Sequence, residues 1–283
     1  MKNKGFLNAV KMIYAAKRID LAEYTLITGG SSGIGFELAK IFSQNQHHLI
    51  LAAKNPEKLE RAKNELESQF KTHIEIIAID LTTDNAAQSL YNEVKKRNLT
   101  VDILVNDAGF GDHGGFLDSN WNRQKDMINI NVLTLMQLTY LFGNEMRRRG
   151  FGRILNVSSV AALGPGPYMS IYYASKAFVL SFSQAVSEEL KGSGVTVSAI
   201  CLGPTATGFE TAAGLKGSNS VMFSFFKPAK AADVAKTAYK GLMSGETVIM
   251  HGMPTKLMNF GTRLVSKRLI RKFAAKINGD SKN

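Results

Sequence analysis

A short apolar run, Tyr24 to Thr28, passes directly into Gly29-Gly30-Ser31-Ser32-Gly33-Ile34-Gly35 and then into a helical pattern that reaches Phe42. This passage restricts the fold more than any other. Strand, glycine-rich turn and helix in that order is the context in which a loop receives phosphate, because glycines let the backbone approach closely and the helix start offers free N–H groups. The alternation then continues. Strand patterns at His48 to Ala53, His73 to Ile79, Val101 to Val105, Arg153 to Val157, Val195 to Cys201 and Thr247 to Met250 are separated by helical patterns. These include a long helix from about Ser119 to Arg148 and another from Ala231 to Met243. Such alternation predicts an α/β fold: a doubly wound parallel sheet of about seven strands with helices on both faces, in three layers. No repeat and no linker divides the chain, so residues 23–255 are expected to form one domain, with a basic extension at 1–22 and a basic tail at 256–283.

The formal charge of +12 on 283 residues is a property of the two ends. Residues 1–20 carry +4 and residues 256–283 carry +7, which leaves a nearly neutral body and argues against nucleic acid as a partner. No apolar run approaches the length of a membrane span. The single cysteine, Cys201, fits a reducing compartment and a buried strand position. The histidines show no ligand-like pairing, and no metal is expected.

Between Arg153 and Lys176 the chain reads RILNVSSVAALGPGPYMSIYYASK. Tyr172 and Lys176 are four residues apart, so on a helix they share one face. At about 4 Å and an effective dielectric near 20, an ammonium favours tyrosinate by roughly 4 kcal/mol. That would bring a phenol down toward neutrality, less what burial takes back. A phenol tuned in this way can exchange a proton with a carbonyl oxygen.

Taken together, these motifs resemble the short-chain dehydrogenase/reductase family of NAD(P)-dependent oxidoreductases, which are built on the Rossmann fold; the resemblance runs from about Tyr24 to His251. Thr28 to Gly35 is similar to the family's TGxxxGxG turn, which implies cofactor binding by Gly29, Ser31, Ser32, Gly33, Ile34 and Gly35. Asp80 and Leu81 match the position that faces the adenine. Asn106-Asp107-Ala108-Gly109 resembles NNAG, with Asp107 replacing an asparagine, and implies contacts from Asn106, Ala108 and Gly109. Asn106 can equally serve polar groups between strands. Asn131 resembles the asparagine that orders a relay water. Ser159 stands thirteen residues before Tyr172, the family's interval, which selects Tyr172 over Tyr168 and Tyr173. The resemblance thus implies a catalytic set of Asn131, Ser159, Tyr172 and Lys176, with Tyr172 and Lys176 also holding the cofactor. Gly203 and Thr207 fall in a segment similar to PGxxxT, where Thr207 would meet the carboxamide.

After the second strand the chain reads Ala52-Ala53-Lys54-Asn55, without the acid that holds ribose hydroxyls in NAD-dependent folds. Lys54, with Asn55, would attract a 2′-phosphate, so NADP(H) is favoured over NAD(H); the other reading of Lys54 is a solvated surface lysine. The implied reaction is hydride transfer between NADP(H) and a ketone or secondary alcohol of apolar, lipid-like, steroid-like or 3-oxoacyl character. The alternative is a non-catalytic NADP-binding sensor or scaffold. Substrate contacts are expected from His113, Met169, Phe209, Met222 and Phe223, the last three on a lid at about 203–228. The lid aromatics can instead pack on the body or on a sister subunit. Family resemblance implies a homodimer or homotetramer. A cytoplasmic enzyme is expected. Lys256 to Lys276 holds seven basic residues, no acid, and apolar residues at helical spacing. Two placements are open: an apolar stripe packed on the body, which is preferred, or a peripheral helix on an anionic membrane.

Overall fold

A computed structural model describes residues 23–215 and 227–279. Seven parallel strands form one sheet: β1 (Glu23–Thr28), β2 (His48–Ala53), β3 (Ile74–Ala78), β4 (Thr100–Asn106), β5 (Gly152–Val157), β6 (Val195–Cys201) and β9 (Val248–Met250). Their order across the sheet is β3-β2-β1-β4-β5-β6-β9. The strands β7 (Thr205–Ala206) and β8 (Ala229–Lys230) make a separate two-stranded pair.

The strands are continuously apolar because both faces are covered. Alternation in the pleat sends Ile27, Leu49, Leu51, Val105 and Leu155 to one core and Leu26, Ile50, Leu104 and Ile154 to the other. The first core is closed by α1 (Gly33–Gln44), α2 (Pro56–Gln69) and α8 (Ala231–Ser244). The second is closed by α3 (Ala86–Lys96) and α5 (Leu135–Arg149). Each large side chain so buried stabilises the fold by roughly 1.5–3 kcal/mol. The first strand and its turn therefore sit mid-sheet, at the point where chain order reverses and α/β folds open a crevice.

The long helix expected from about Ser119 to Arg148 is broken into α4 (Trp121–Ile128), a π-helical segment (Asn129–Thr134) and α5. Such π segments recur where a helix must present side chains to a site. Tyr172 and Lys176 lie on α6 (Ser170–Glu189), and a short helix, α7 (Phe209–Ala212), follows β7.

The boundary expected at 255/256 falls inside a helix, α9 (Gly252–Leu264), which is followed by α10 (Lys267–Asn278). These helices pack on the turn after Ser159; Ile270 fills the space beside Gly164. The expectation that their apolar stripe faces the body is corrected for α9 and for Phe273 on α10, which is 55% exposed. Leu257, Phe260 and Leu264 are 64%, 63% and 73% exposed, and Met253 continues the row outward. The readings of residues 1–22 lie outside the described residues.

Candidate active site

β5 ends at Val157, and the chain returns along α6 to lay Tyr172 and Lys176 over that strand end. Two bonds fix the overlap. The Ser158 hydroxyl donates to the Lys176 carbonyl at 2.9 Å, and the Lys176 ammonium donates to the Val157 carbonyl at 2.8 Å. Ser158 is thereby used inside the fold. Ser159 caps a 3-10 turn (Val160–Leu163), accepting the Ala161 N–H at 3.1 Å and donating to the Leu202 carbonyl at 3.4 Å, with its hydroxyl beside the phenol of Tyr172. Tyr173, next along, turns away to hydrogen-bond Asn278.

The expectation that Lys176 draws the Tyr172 pKa toward neutrality is corrected. The ammonium lies 5.8 Å from the centre of the Tyr172 ring and is engaged with Val157. Burial dominates and pushes the phenol up to about 12, with the Ser159 bond opposing and Tyr173 reinforcing the rise. The same burial lowers Lys176 to about 8, against the attraction of Asp107. Asp107 is raised to about 7, again chiefly by burial, against Lys176 and a bond from the Gly35 N–H. Burial also lifts the Cys201 thiol to about 11, as befits a strand residue within the core.

The glycine turn faces this wall across a cleft of about 410 Å³ lined by Ser32, Gly33, Ile34, Ala108, Gly109, Ser159, Tyr172, Lys176, Gly203 and Thr207. Gly29 has φ +73, which favours glycine. A Cβ on Gly35 would stand 2.6 Å from the Gly29 carbonyl and 2.7 Å from the Asp107 carboxylate, so only glycine fits. Ser32 begins α1 without a side-chain cap, and the first turn holds no acid. The free N–H groups there suit a phosphate. The Thr28 hydroxyl seams the two turns, accepting the N–H groups of Asp107 and Ala108 at 3.1 Å each.

Ser31, Lys54, Asp80 and Leu81 line an adjoining hollow. Lys54 is ion-paired to Asp80 at 2.6 Å. Burial raises the Asp80 carboxyl, but the bonds from Lys54 and Thr82 outweigh it and hold the group below its ordinary range.

Three expected ligand contacts are engaged elsewhere. The Asn55 side chain caps α2, accepting the Lys58 N–H at 2.8 Å. Asn106 is buried in the sheet, where its amide donates to Thr139 and to Asn156 at 2.9 Å; of its two readings, the between-strand one holds. His113 does not line the cleft and is hydrogen-bonded to the Asn278 carbonyl at 2.6 Å. Asn131 lies in the π segment. Its amide donates to the Phe110 carbonyl and the Ser175 hydroxyl, and its oxygen accepts the Phe110 N–H. Met169 and Phe209 line the cleft, with the Phe209 ring centre 5.3 Å from that of Tyr172. Met222 and Phe223 lie outside the described residues.

Residues 23–217 match the family described as short chain dehydrogenase. The chain belongs to the short-chain dehydrogenase family. Its relatives include the very-long-chain 3-oxoacyl-CoA reductase of Bos taurus, 33% identical over 186 residues, which are 64% of this chain and 58% of that protein. The human 17-beta-hydroxysteroid dehydrogenase type 3 is 34% identical over 201 residues, 68% of this chain and 62% of that protein. The chain thus spans about three fifths of the length of these curated relatives. A short-chain dehydrogenase from Sphingobium yanoikuyae in complex with NADPH superposes with a TM-score of 0.76 at 28% identity, covering 86% of this chain and 94% of that one.

Two fixtures of this short-chain dehydrogenase carry no signal in the sequence. Arg123 pairs with Asp112 at 2.5 Å and also donates to the Ala212 carbonyl, clasping the end of α7 beside the cleft. Asn278, fully buried at the end of α10, donates to the Pro167 carbonyl at 3.0 Å. Neither has a local pattern to announce it, because each partner lies far away in the chain.

Proposed function

We propose that this protein is an NADP(H)-dependent carbonyl reductase acting on an apolar ketone, with the reverse alcohol oxidation as its thermodynamic counterpart. The observation that carries this reading is the buried Tyr172 phenol, beside Ser159 on the wall of the cleft that the glycine turn enters. A phenol raised to about 12 keeps its proton at neutral pH, the form needed to protonate a carbonyl oxygen. Ser159 would hydrogen-bond that oxygen. Lys176 and Tyr172 would hold the ribose beside the nicotinamide. Asn131 clamps the backbone at Phe110, and the second lone pair of its oxygen is the acceptor a relay water needs. When bound, the dinucleotide supplies the hydride. Gly29, Ser32, Gly33 and Ile34 would receive its phosphates, and Thr207 its carboxamide. Lys54, exchanging Asp80 for a 2′-phosphate, favours NADP(H).

A bound but unreacting cofactor, the sensor alternative, does not need a phenol, a hydroxyl and an ammonium converging on one cleft. The test is NADPH oxidation with ketones, aldehydes and 3-oxoacyl thioesters. Turnover is expected, and its absence on the whole panel would favour the sensor.

The exposed row Met253, Leu257, Phe260 and Leu264, beside Lys256, Lys267, Arg268 and Arg271, supports peripheral attachment to an anionic membrane, at its cytoplasmic face. Among the described residues no helix is long and apolar enough to cross a membrane. Co-sedimentation with phosphatidylserine-containing vesicles is expected, and Leu257→Glu with Phe260→Glu should abolish it. Exposed Leu133 on the π segment, Tyr140 on α5 and Phe178 on α6 support a homodimer or homotetramer through these helices.

A further inference from the structure

The turn after Ser159 separates two spaces. On one side is the cleft with Tyr172. On the other, beneath α9 and α10, is a cavity of about 450 Å³ whose walls include Val160, Leu163, Met258, Ile270, Phe273 and Ile277. The two spaces share Val160, Ala161, Tyr173 and Pro204 as lining.

The cavity's chemistry is one-sided. Although α9 and α10 are rich in lysine and arginine, no charged side chain among the described residues lines it. Among the described residues Tyr173 and Thr262 bring the only side-chain hydroxyls, and each makes a hydrogen bond, Tyr173 with Asn278 and Thr262 with the Asn259 carbonyl at 3.1 Å. The lining among the described residues is thus almost wholly apolar, and apolar cavities stay dry and take up hydrocarbon. The space is a groove open at its rim, where Phe273 and Leu269 are 55% and 59% exposed, and its volume falls in the range of 300–1,000 Å³ typical of ligand sites. Nor is the roof loosely placed. Asn278 ties α10 to Pro167 and Tyr173, and Ile270 packs where a Cβ on Gly164 would meet it at 2.6 Å.

We infer that this cavity holds the unbranched hydrocarbon tail of the substrate, running past Tyr173 while the carbonyl meets Tyr172. The substrate is then a long-chain acyl or alkyl ketone in preference to a compact one. This rests on the carbonyl-reductase reading for the position of the head group, but the cavity's affinity for a chain does not.

Gly261 gives the test. It lines the cavity, a Cβ there would meet nothing within 4 Å, and both leucine and phenylalanine favour the helix over glycine. The full chain with NADPH would be assayed on N-acetylcysteamine thioesters of 3-oxo acids with 4, 8 and 12 carbons. Wild type should gain about fourfold in kcat/KM per methylene until the cavity is filled. Gly261→Phe, or the smaller Gly261→Leu if the first fails to fold, should collapse the 12-carbon to 4-carbon ratio at least tenfold. Titration of laurate, followed by calorimetry, is the turnover-free arm; laurate should bind wild type and bind the variant at least tenfold more weakly. Laurate binding that is lost in the variant, in a protein that reduces none of the thioesters, would uphold the cavity and sink the reductase reading. Rates independent of chain length, or a ratio and laurate affinity unmoved by a folded variant, would overturn the inference.

Discussion

The wall that carries Tyr172 and the roof formed by α9 and α10 meet at the turn after Ser159, yet they are held by different means. The wall is part of the sheet's own bonding: Ser158, Lys176 and Val157 lock α6 to β5 within the core. The roof is attached from outside by Asn278 and by side-chain packing, and it leaves an apolar row in solvent. The proposed reacting groups are therefore as rigid as the fold, whereas the surface proposed to choose and admit the substrate can change without disturbing them. That division accounts for a Tyr-Ser-Lys arrangement set in a core while seven basic residues and an exposed stripe sit on two terminal helices.

Substitutions that damage one side alone would sharpen this contrast, and the largest effect is expected at the wall. Tyr172→Phe should lower kcat by about 10²–10⁴-fold while thermal melting and NADPH affinity change little. An equally active variant would remove Tyr172 from proton transfer. At the roof, Asn278→Ala leaves the Pro167 carbonyl and the Tyr173 hydroxyl without their partner and should cost about 2 kcal/mol. Limited proteolysis should then cut within 252–279 before the sheet unfolds, and a cooperative loss of both would erase the distinction. Lys54→Glu should weaken NADPH relative to NADH by roughly tenfold, because it replaces an exposed point charge that already shares Asp80; direct binding titrations of both nucleotides would read this.

The smallest effect concerns pH. Asp107 titrates near 7 in the fold, well above its ordinary value, so the native state binds the extra proton. Stability from this group is present below about pH 4 and is lost as pH rises through 7. Asp107→Asn should flatten that decline and raise the melting temperature at pH 8 by a few degrees, on the order of 1 kcal/mol. An unchanged profile would show that Asp107 is solvated or fully compensated by Lys176.

Much of the wall was readable in advance. The strand alternation predicts all seven strands of the main sheet, since residues buried on both faces must be continuously apolar. The interval from Ser159 to Tyr172 selects the residues that meet in the cleft. What misled was electrostatic. The spacing of Tyr172 and Lys176 puts them on one helix face, but whether the ammonium reaches the phenol depends on the competing Val157 carbonyl, which belongs to another strand. Asn55 and Asn106 show the same limit, because their positions match a ligand-binding pattern while a helix end and a neighbouring strand claim their side chains.

By itself, then, the sequence determined the sheet and the glycine turn, because periodicity and spacing are local quantities that hydrophobic burial and helix geometry translate directly, while the family resemblance singled out Ser159, Tyr172 and Lys176 as the candidate reacting groups. Only the tertiary structure decided the protonation of Tyr172, the partnership of Lys54 with Asp80, the use of His113 and Asn278 as fasteners, and the outward face of α9. Each of these depends on which distant group arrives first at hydrogen-bonding distance, and on how much water the surrounding chain leaves behind.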